Sequence, residues 1–262
     1  MRMVWKKGFD SLFFLVVVLL LIGALCWFAS RPRQTAAPEE IPEVQEEAKE
    51  TPPEDVALKT GTVAGNAGGL HFAFSLDNLI ASYNSAYWKT YGEAVFLPPA
   101  EEWSITEAPG EGDRPAQRVY SVSPGGSGWF WPTLSVYIPE GGETAARISL
   151  DLDEHSDTQV KNEFYREMCL EVFGLLLPDL PQEKRGALYE RLDRQAYQDR
   201  YDTRYLEVEI PRVVYYQGEI GVFPFFALGD YERITLLPVD QTILETWKAR
   251  GTQVIDLEQW QP

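Results

Sequence analysis

The stretch "TLSVYIPEGGETAARISLDLD" (133–153) decides the fold, because two alternating segments meet there across a turn that contains two glycines. Apolar residues occupy every second position of both segments: Leu134, Val136 and Ile138 in the first, and Ala146, Ile148, Leu150 and Leu152 in the second. Successive side chains of a β-strand point to opposite faces, so each segment has one apolar face. The pattern predicts a hairpin in an antiparallel sheet with one buried face and one solvated face.

Five more segments have the composition of strands. They cover residues 117–123, 204–216, 219–228, 231–237 and 253–257. Pro224 has no N–H for a strand ladder, so the segment around it is predicted to be an edge strand or a bulged strand. An exposed apolar edge near Phe223–Phe226 would suit a subunit of a larger complex, since unpaired edges invite strand addition.

Four segments have helical periodicity. They begin near Ser75, Ser156, Pro181 and Asp240, and they end near Gly92, Leu177, Tyr197 and Arg250. Ser75 and Ser156 suit the N-cap position, and Gly92 suits the residue that follows a helix. Helices and strands come in blocks and do not alternate strictly. This order predicts an α+β fold in which helices pack on one face of an antiparallel sheet.

An apolar segment lies near the amino end of the chain. From Ser11 to Ser30 there are 20 consecutive residues without a formal charge. A helix of that length is about 30 Å long, which matches the hydrocarbon thickness of a bilayer. The apolar region of a signal peptide is shorter, usually about 7–15 residues. We therefore expect a retained transmembrane helix at 11–30.

Two other fates stay open for the apolar segment. Cleavage would release the rest of the chain. Acylation of Cys26 would attach the chain to lipid, since "GALC" (23–26) resembles a lipobox, although Leu25 stands where that motif has a small residue.

Basic residues flank the apolar segment unequally. Three precede it and two follow it: Arg2, Lys6 and Lys7 before, and Arg31 and Arg33 after. Because cytoplasmic flanks carry the excess of Lys and Arg, we expect a short cytoplasmic tail at 1–10 and an extracytoplasmic remainder.

The residues that follow the apolar segment differ in composition from a folded domain. Residues 35–55 contain eight acids, one lysine and four prolines, and residues 61–69 are rich in glycine. Charge repulsion and proline stiffness keep such a chain extended. We expect a disordered acidic linker at 31–69 and one extracytoplasmic α+β domain at 70–262.

Charge and cysteine content exclude several classes of function. The chain has 40 acidic and 23 basic residues, and its formal net charge is −17. A surface with this much negative charge repels the phosphate backbone of nucleic acids, so nucleic-acid binding is not expected. The two cysteines, Cys26 and Cys169, lie in the apolar segment and in a predicted helix, so neither a disulfide nor a thiolate metal site is expected. The sequence has no cofactor-binding motif, and no cofactor is expected.

The densest polar cluster is "DLDEHSD" (151–157). Asp151 and Asp153 share one strand face, about 7 Å apart. This separation lies in the range of paired glycosidase carboxylates, and Glu154 and His155 follow directly. A solvated strand face that runs into the first turn of a helix explains the same residues, because acids stabilise a helix N-terminus. The cluster is a candidate acidic site without an assigned catalytic residue or metal.

Two tryptophans form the second candidate site. In "GSGWFWPTL" (126–134), Trp129 and Trp131 point to one side of an extended chain and Phe130 to the other. If Phe130 packs into the core, the indoles form an exposed platform for sugar rings or for apolar side chains of a partner. If the indoles pack inward, they are core residues. The sequence leaves both arrangements open.

Taken together, these features favour a membrane-anchored extracytoplasmic domain with a non-catalytic binding or scaffolding role. Its expected partners are the membrane, through residues 11–30, and a protein or another component of the cell envelope. Two alternatives remain open. One is a glycan-acting hydrolase that uses Asp151, Asp153 or Glu154, and the other is a structural subunit of a membrane complex.

Overall fold

The computed structural model describes residues 55–65, 69–92, 97–110, 115–124, 132–153, 159–199, 211–227 and 231–262. These residues form ten strands, four α-helices and one 3-10 turn. The strands are β1 (Thr62–Ala64), β2 (Leu70–Phe72), β3 (Ser104–Ala108), β4 (Gln117–Val122), β5 (Thr133–Pro139), β6 (Arg147–Asp153), β7 (Val213–Gln217), β8 (Ile220–Ala227), β9 (Tyr231–Pro238) and β10 (Gln253–Asp256). The helices are α1 (Leu76–Tyr91), α2 (Gln159–Leu176), α3 (Gln182–Asp199) and α4 (Gln241–Ala249), and the 3-10 turn is Ala100–Glu102.

Eight of the strands form one large sheet in the order β10-β7-β8-β9-β6-β5-β4-β3, while β1 and β2 form a separate two-stranded sheet. Two antiparallel meanders, β3 to β6 and β7 to β9, are joined by the antiparallel pairing of β6 with β9. Only β10 runs parallel to its neighbour, β7, among the described strands. This follows from α4, because a helical connection returns the chain to the same end of the sheet.

The predicted α+β class and the predicted antiparallel sheet are confirmed. The hairpin that was read from residues 133–153 is β5 and β6, with Leu134 opposite Leu150 and Val136 opposite Ile148. All four of these side chains are buried. Because they share one face with the apolar stripes of α1, α2 and α3, they form one continuous core with those helices.

Helix α1 has the ends that the sequence predicts. The side chain of Ser75 accepts a hydrogen bond from the backbone N–H of Asn78, and the Asn78 side chain reaches back to the Ser75 backbone. Gly92 has φ +72°, and its N–H donates to the Trp88 carbonyl. Glycine adopts this left-handed conformation without a Cβ clash, so the helix stops there.

Helix α4 lies on the other face of the sheet, which differs from the predicted arrangement with helices on one face. The alternation along β7 shows the two faces, because Val213 and Tyr215 belong to the large core whereas Val214 belongs to a second apolar cluster. That cluster also contains Leu244 of α4 and Phe223 of β8. The 3.6-residue period of α4 predicted an apolar face but could not predict which side of the sheet it would cover.

Strand β8 lies between β7 and β9 in the sheet order, so it is not an edge strand over its first part, but from Phe223 onward it pairs with β9 alone among the described residues. Phe223 is buried, and its ring meets the Trp247 ring edge-on with a centroid distance of 5.9 Å. The pairing of β8 with β7 ends at Val222 and Tyr215, whereas Pro224 pairs with Ile234 of β9. Pro224 is therefore tolerated because β8 has only one paired neighbour at that level.

The face that was predicted to be solvated is partly buried. The register places four hydroxyl residues side by side across β4, β5, β6 and β9: Ser121, Ser135, Ser149 and Thr235. The last three are buried, and Ser149 has no exposed surface. Burial of hydroxyls is tolerated where they form hydrogen bonds, and the Ser121 and Ser135 hydroxyls lie 2.9 Å apart.

Folded structure begins before residue 70. Thr62–Ala64 pair with Leu70–Phe72, and Leu58 packs against the core. The predicted tail at 1–10, the apolar segment at 11–30 and the linker as far as residue 54 lie outside the described residues. Among the helices of the described ranges, none has the length and apolar content that a membrane crossing needs.

Candidate functional site

Asp151 of the predicted acidic cluster lies in the middle of the sheet. It stands on β6 between Thr133 of β5 and Arg233 of β9, and it is half-buried. The Ser149 hydroxyl donates a hydrogen bond to its carboxylate at 3.3 Å. Its surroundings are therefore those of a hydrogen-bonded position within a sheet.

The other members of the predicted clusters are not placed together by the described residues. Asp153 is the last residue of β6, with its backbone opposite Tyr231. Glu154 and His155 lie outside the described residues. Trp129 and Trp131 lie outside them as well, so the tryptophan platform stays a prediction.

A large cavity lies at the β10 edge of the sheet. We call it the β10 cavity; its volume is about 820 Å³. Three parts of the chain line it: Ala187, Glu190, Arg191 and Arg194 of α3, Tyr215 and Gln253–Asp256 of the sheet, and Gln259–Pro262 after β10. The cavity therefore lies where β10 has no neighbouring strand and α3 overhangs the sheet edge.

Helix α3 forms one wall of the β10 cavity. The wall residues are spaced three and four positions apart, which puts them on one helical face. The neighbouring face buries Leu188, Leu192 and Ala196 in the core. Because α3 is fixed by this apolar face, its polar wall is held towards the β10 edge. The wall carries the guanidinium groups of Arg191 and Arg194 against the single carboxylate of Glu190.

Two aromatic residues, Tyr215 and Trp260, line the cavity. Tyr215 is buried, and the Trp260 ring meets its ring edge-on with a centroid distance of 5.7 Å. Nε of Arg191 donates a hydrogen bond to the Tyr215 hydroxyl at 3.3 Å. Nζ of Lys184 donates to the Trp260 carbonyl at 2.8 Å, which ties the segment after β10 to the first turn of α3. These contacts preorganise the cavity, since both of its walls are fixed to the core.

The carboxylate of Asp256 is engaged within the cavity wall. Its Oδ1 accepts a hydrogen bond from the backbone N–H of Glu258 at 2.9 Å. Burial raises the pKa of Tyr216, and the nearby Asp256 carboxylate raises it further by charge and by accepting a hydrogen bond from the Tyr216 hydroxyl. The guanidinium group of Arg194, in contrast, has no hydrogen bond or ion pair with the part of the chain that the structure describes. The α3 wall of the cavity therefore carries a net positive charge, from Arg191 and Arg194 against Glu190.

A smaller cavity of about 370 Å³ lies beside His71, between the turn after β1 and the β5–β6 turn. His71 is buried, and its Nδ1 lies 3.2 Å from the Thr144 hydroxyl. Burial lowers the pKa of His71, because a charged imidazole is poorly solvated there. The neutral ring thus acts as a packing group that joins the small sheet to the domain.

Tyrosines and glutamates meet where α1 packs on α2. The rings of Tyr83, Tyr87 and Tyr91 follow one another at centroid distances of 5.8 and 4.5 Å. The Tyr87 hydroxyl donates to the Glu167 carboxylate at 3.4 Å, and burial raises the pKa of Tyr87 to about 12. Burial also raises the pKa of Glu171. The raised pKa values of Tyr87 and Glu171 therefore follow first from burial where α1 packs on α2.

No group of three or more His, Cys, Asp or Glu side chains within the described ranges could hold a metal ion. Cys169 is a free thiol with no exposed surface, in the middle of α2.

The chain matches no known protein-family model, no curated protein and no solved structure. The site therefore has to be interpreted from its own chemistry.

None of the residues that line the β10 cavity was predicted from the sequence as a site residue. The signal was present on α3, where Ala187, Glu190, Arg191 and Arg194 recur at helical spacing beside the apolar stripe. A solvated helix face has the same pattern, so the spacing alone does not mark a site. This face of α3 is a cavity wall only because β10, about 60 residues further along the chain, also lines the cavity.

Proposed function

We propose that this protein is a membrane-anchored extracytoplasmic domain with a non-catalytic binding role, and that it binds its partner in the β10 cavity. The observation that carries the proposal is the cavity itself. Its volume of about 820 Å³ falls within the usual range of ligand sites, about 300–1,000 Å³. It is also preformed, because hydrogen bonds from Arg191 and Lys184 hold its walls in place.

The lining supports recognition of a polar partner. It combines two guanidinium groups with the side-chain amides of Gln253, Gln259 and Gln261 and the indole of Trp260. Tryptophan, tyrosine and arginine are the residues that contribute most to binding energy at protein interfaces. The indole presents a broad apolar surface, while the arginines and amides fix the orientation of whatever lies against it.

The anchor and the linker support the membrane part of the proposal. Residues 11–30 are long and apolar enough for one span. The 21 acidic and proline-rich residues at 35–55 would reach about 25 Å as a flexible coil. A domain held at this distance from the bilayer leaves the β10 cavity accessible to an envelope protein.

Two measurements on intact cells test the anchor and its orientation. We expect the full chain to sediment with membranes, and we expect protease added outside the cells to digest the domain. Full-length protein free in the medium, or a domain protected from the protease, would contradict this part of the proposal.

Site-directed photocrosslinking tests the cavity. A photoreactive amino acid at Gln261, inside the cavity, is compared with one at Lys248, which is exposed on α4 outside it. We expect a specific crosslinked species from position 261 alone, and we expect Trp260→Ala to abolish it. The same products from both positions, or products unaffected by Trp260→Ala, would show that the cavity is not the binding site.

A structural role in a membrane complex uses the same surface and is tested by the same crosslinks. Asp151 stays a candidate for the glycan-hydrolase alternative, but no contact of the described residues favours that reaction over a hydrogen-bonded position in the sheet.

A further inference from the structure

Strand β10 has one free edge. The N–H of Gln253 donates to the Arg212 carbonyl, and the N–H of Leu257 donates to the Tyr216 carbonyl, both at 2.9 Å. These groups point towards β7. Because backbone groups alternate in direction along a strand, the N–H and C=O groups of Val254 and Asp256 point away from β7, towards the cavity side.

These outward groups have no hydrogen-bond partner in the described part of the chain. They are two residues apart, a repeat of about 6.6 Å along the strand. An extended peptide presents its own N–H and C=O groups with the same repeat, whereas other ligand classes do not. A strand laid beside β10 would sit about 4.8 Å from it, in the space between β10 and the wall of α3.

The charge of the wall selects the kind of peptide. Arg191 is held in place by the Tyr215 hydroxyl, and Arg194 has no ion pair with a described residue. Glu190 is the one carboxylate among the residues of α3 that line the cavity, while Asp256, which accepts a hydrogen bond from the Glu258 N–H, belongs to β10. In an added strand, every second side chain would point to the face of the sheet that α3 covers, where the two arginines lie. Carboxylates at those positions would pair with the guanidinium groups.

We infer that the partner enters the β10 cavity as an extended acidic peptide segment that pairs with the free edge of β10 and is held by Arg191 and Arg194. This inference rests on the proposed function, since it takes the β10 cavity to be the binding site. It adds the chemical class of the partner and the mode of recognition, which is strand addition.

Defined peptides test the inference on the full chain in detergent micelles. The probe is a fluorescein-labelled, acetylated and amidated octapeptide of alternating Val and Glu, and its counterpart alternates Val and Lys. Fluorescence anisotropy is expected to show saturable binding of the Glu peptide, at least about tenfold tighter than that of the Lys peptide. The preference should weaken with added salt, because exposed charges are screened.

Protein variants separate charge selection from strand pairing. Arg194→Glu is expected to reverse the preference between the two peptides, whereas Arg250→Glu, the same change in charge at an exposed residue outside the cavity, is expected to leave it unchanged. Val254→Pro removes one outward N–H without touching a bond to β7, and it is expected to abolish binding of both peptides. Circular dichroism of each variant shows whether the fold is retained.

N-methylated probes keep the test independent of protein folding. Two Glu peptides are compared, one methylated at the valine nitrogens and one at the glutamate nitrogens. Only one set of nitrogens faces β10 in an added strand, so one methylated peptide should bind and the other should not. Equal binding of the two methylated peptides would overturn strand addition, and equal binding of the Glu and Lys peptides would overturn charge selection.

The outcomes also distinguish this inference from the proposed function. If no peptide binds and yet the crosslink from position 261 is lost in Trp260→Ala, the cavity binds a partner of another class, such as a glycan, and only the inference fails. If the crosslink itself is absent, the proposed function fails.

Discussion

Replacing one buried tyrosine with phenylalanine should stabilise this protein, whereas the same change at another buried tyrosine should destabilise it. Tyr83 on α1 and Tyr165 on α2 both have no exposed surface. The Tyr165 hydroxyl donates to the Leu150 carbonyl at 3.1 Å. The Tyr83 hydroxyl has no hydrogen-bond partner among the described residues, and burial raises the pKa of Tyr83 well above the ordinary value.

The expected magnitudes follow from the two environments. A buried hydroxyl without a partner costs about 1–3 kcal/mol of desolvation, while a satisfied hydrogen bond contributes about 1 kcal/mol. Phenylalanine keeps the ring, so neither change opens a cavity larger than the lost oxygen. Tyr83→Phe should therefore raise the free energy of unfolding by about 1 kcal/mol, and Tyr165→Phe should lower it by about the same amount.

Urea titrations of the purified wild type and both variants, followed by tryptophan fluorescence, measure this difference. The transition midpoints should move in opposite directions while the slope m stays constant, because the surface exposed on unfolding is unchanged. A Tyr83→Phe variant that loses as much stability as Tyr165→Phe would refute the reasoning, since it would mean that the Tyr83 hydroxyl is bonded in the folded protein.

Three further changes test packing and pH dependence. Burial lowers the pKa of His71 in the folded state, so His71 contributes stability that is lost as the pH falls below about 6.5. In thermal melts over that pH range, the melting temperature of His71→Gln should fall less than that of the wild type. Glu171 has a raised pKa, so it contributes stability that is present below about 4.5 and lost as the pH rises through the raised value. Glu171→Gln should remove that decline in the same melts. Gly65→Ala should lower the free energy of unfolding by about 1–3 kcal/mol, because a Cβ at this position would overlap the buried His71 ring. An unchanged free energy of unfolding in a urea titration would show that the ring can move aside.

Local elements of this fold follow closely from local sequence. The Ser75 cap and the Gly92 terminus bound α1 as predicted, because capping depends on residues within one turn. The alternation of Leu134, Val136 and Ile138 likewise predicts which side of β5 joins the large core, although Ser135 on the other side is buried as well. The cap of α1 is a contact within one helical turn, and the alternation of β5 is a pattern within one strand, although the residues that bury its apolar face come from distant parts of the chain.

Arrangements that depend on distant residues were predicted less well. Pro224 suggested an edge strand or a bulged strand. Strand β8 lies between β7 and β9 in the sheet order, but the proline stands past the end of the β7 pairing, where β8 pairs with β9 alone among the described residues. Ser149 was expected on a wet face and is buried in a row of hydroxyl residues that come from four strands. The alternation of residues along one strand shows which face is apolar, but it does not show which parts of the chain cover the opposite face.

The sequence by itself determined the α+β class, the antiparallel hairpin at its centre and the positions of the helices, because periodicity and capping are local properties of the chain. The tertiary structure decided the strand order, the side on which α4 packs and the existence of the β10 cavity. That cavity joins α3 to a strand about 60 residues later and to the segment that follows it. Which strand pairs with which is settled by the joint burial of every apolar face at once, and this requirement belongs to the whole domain and not to any one segment.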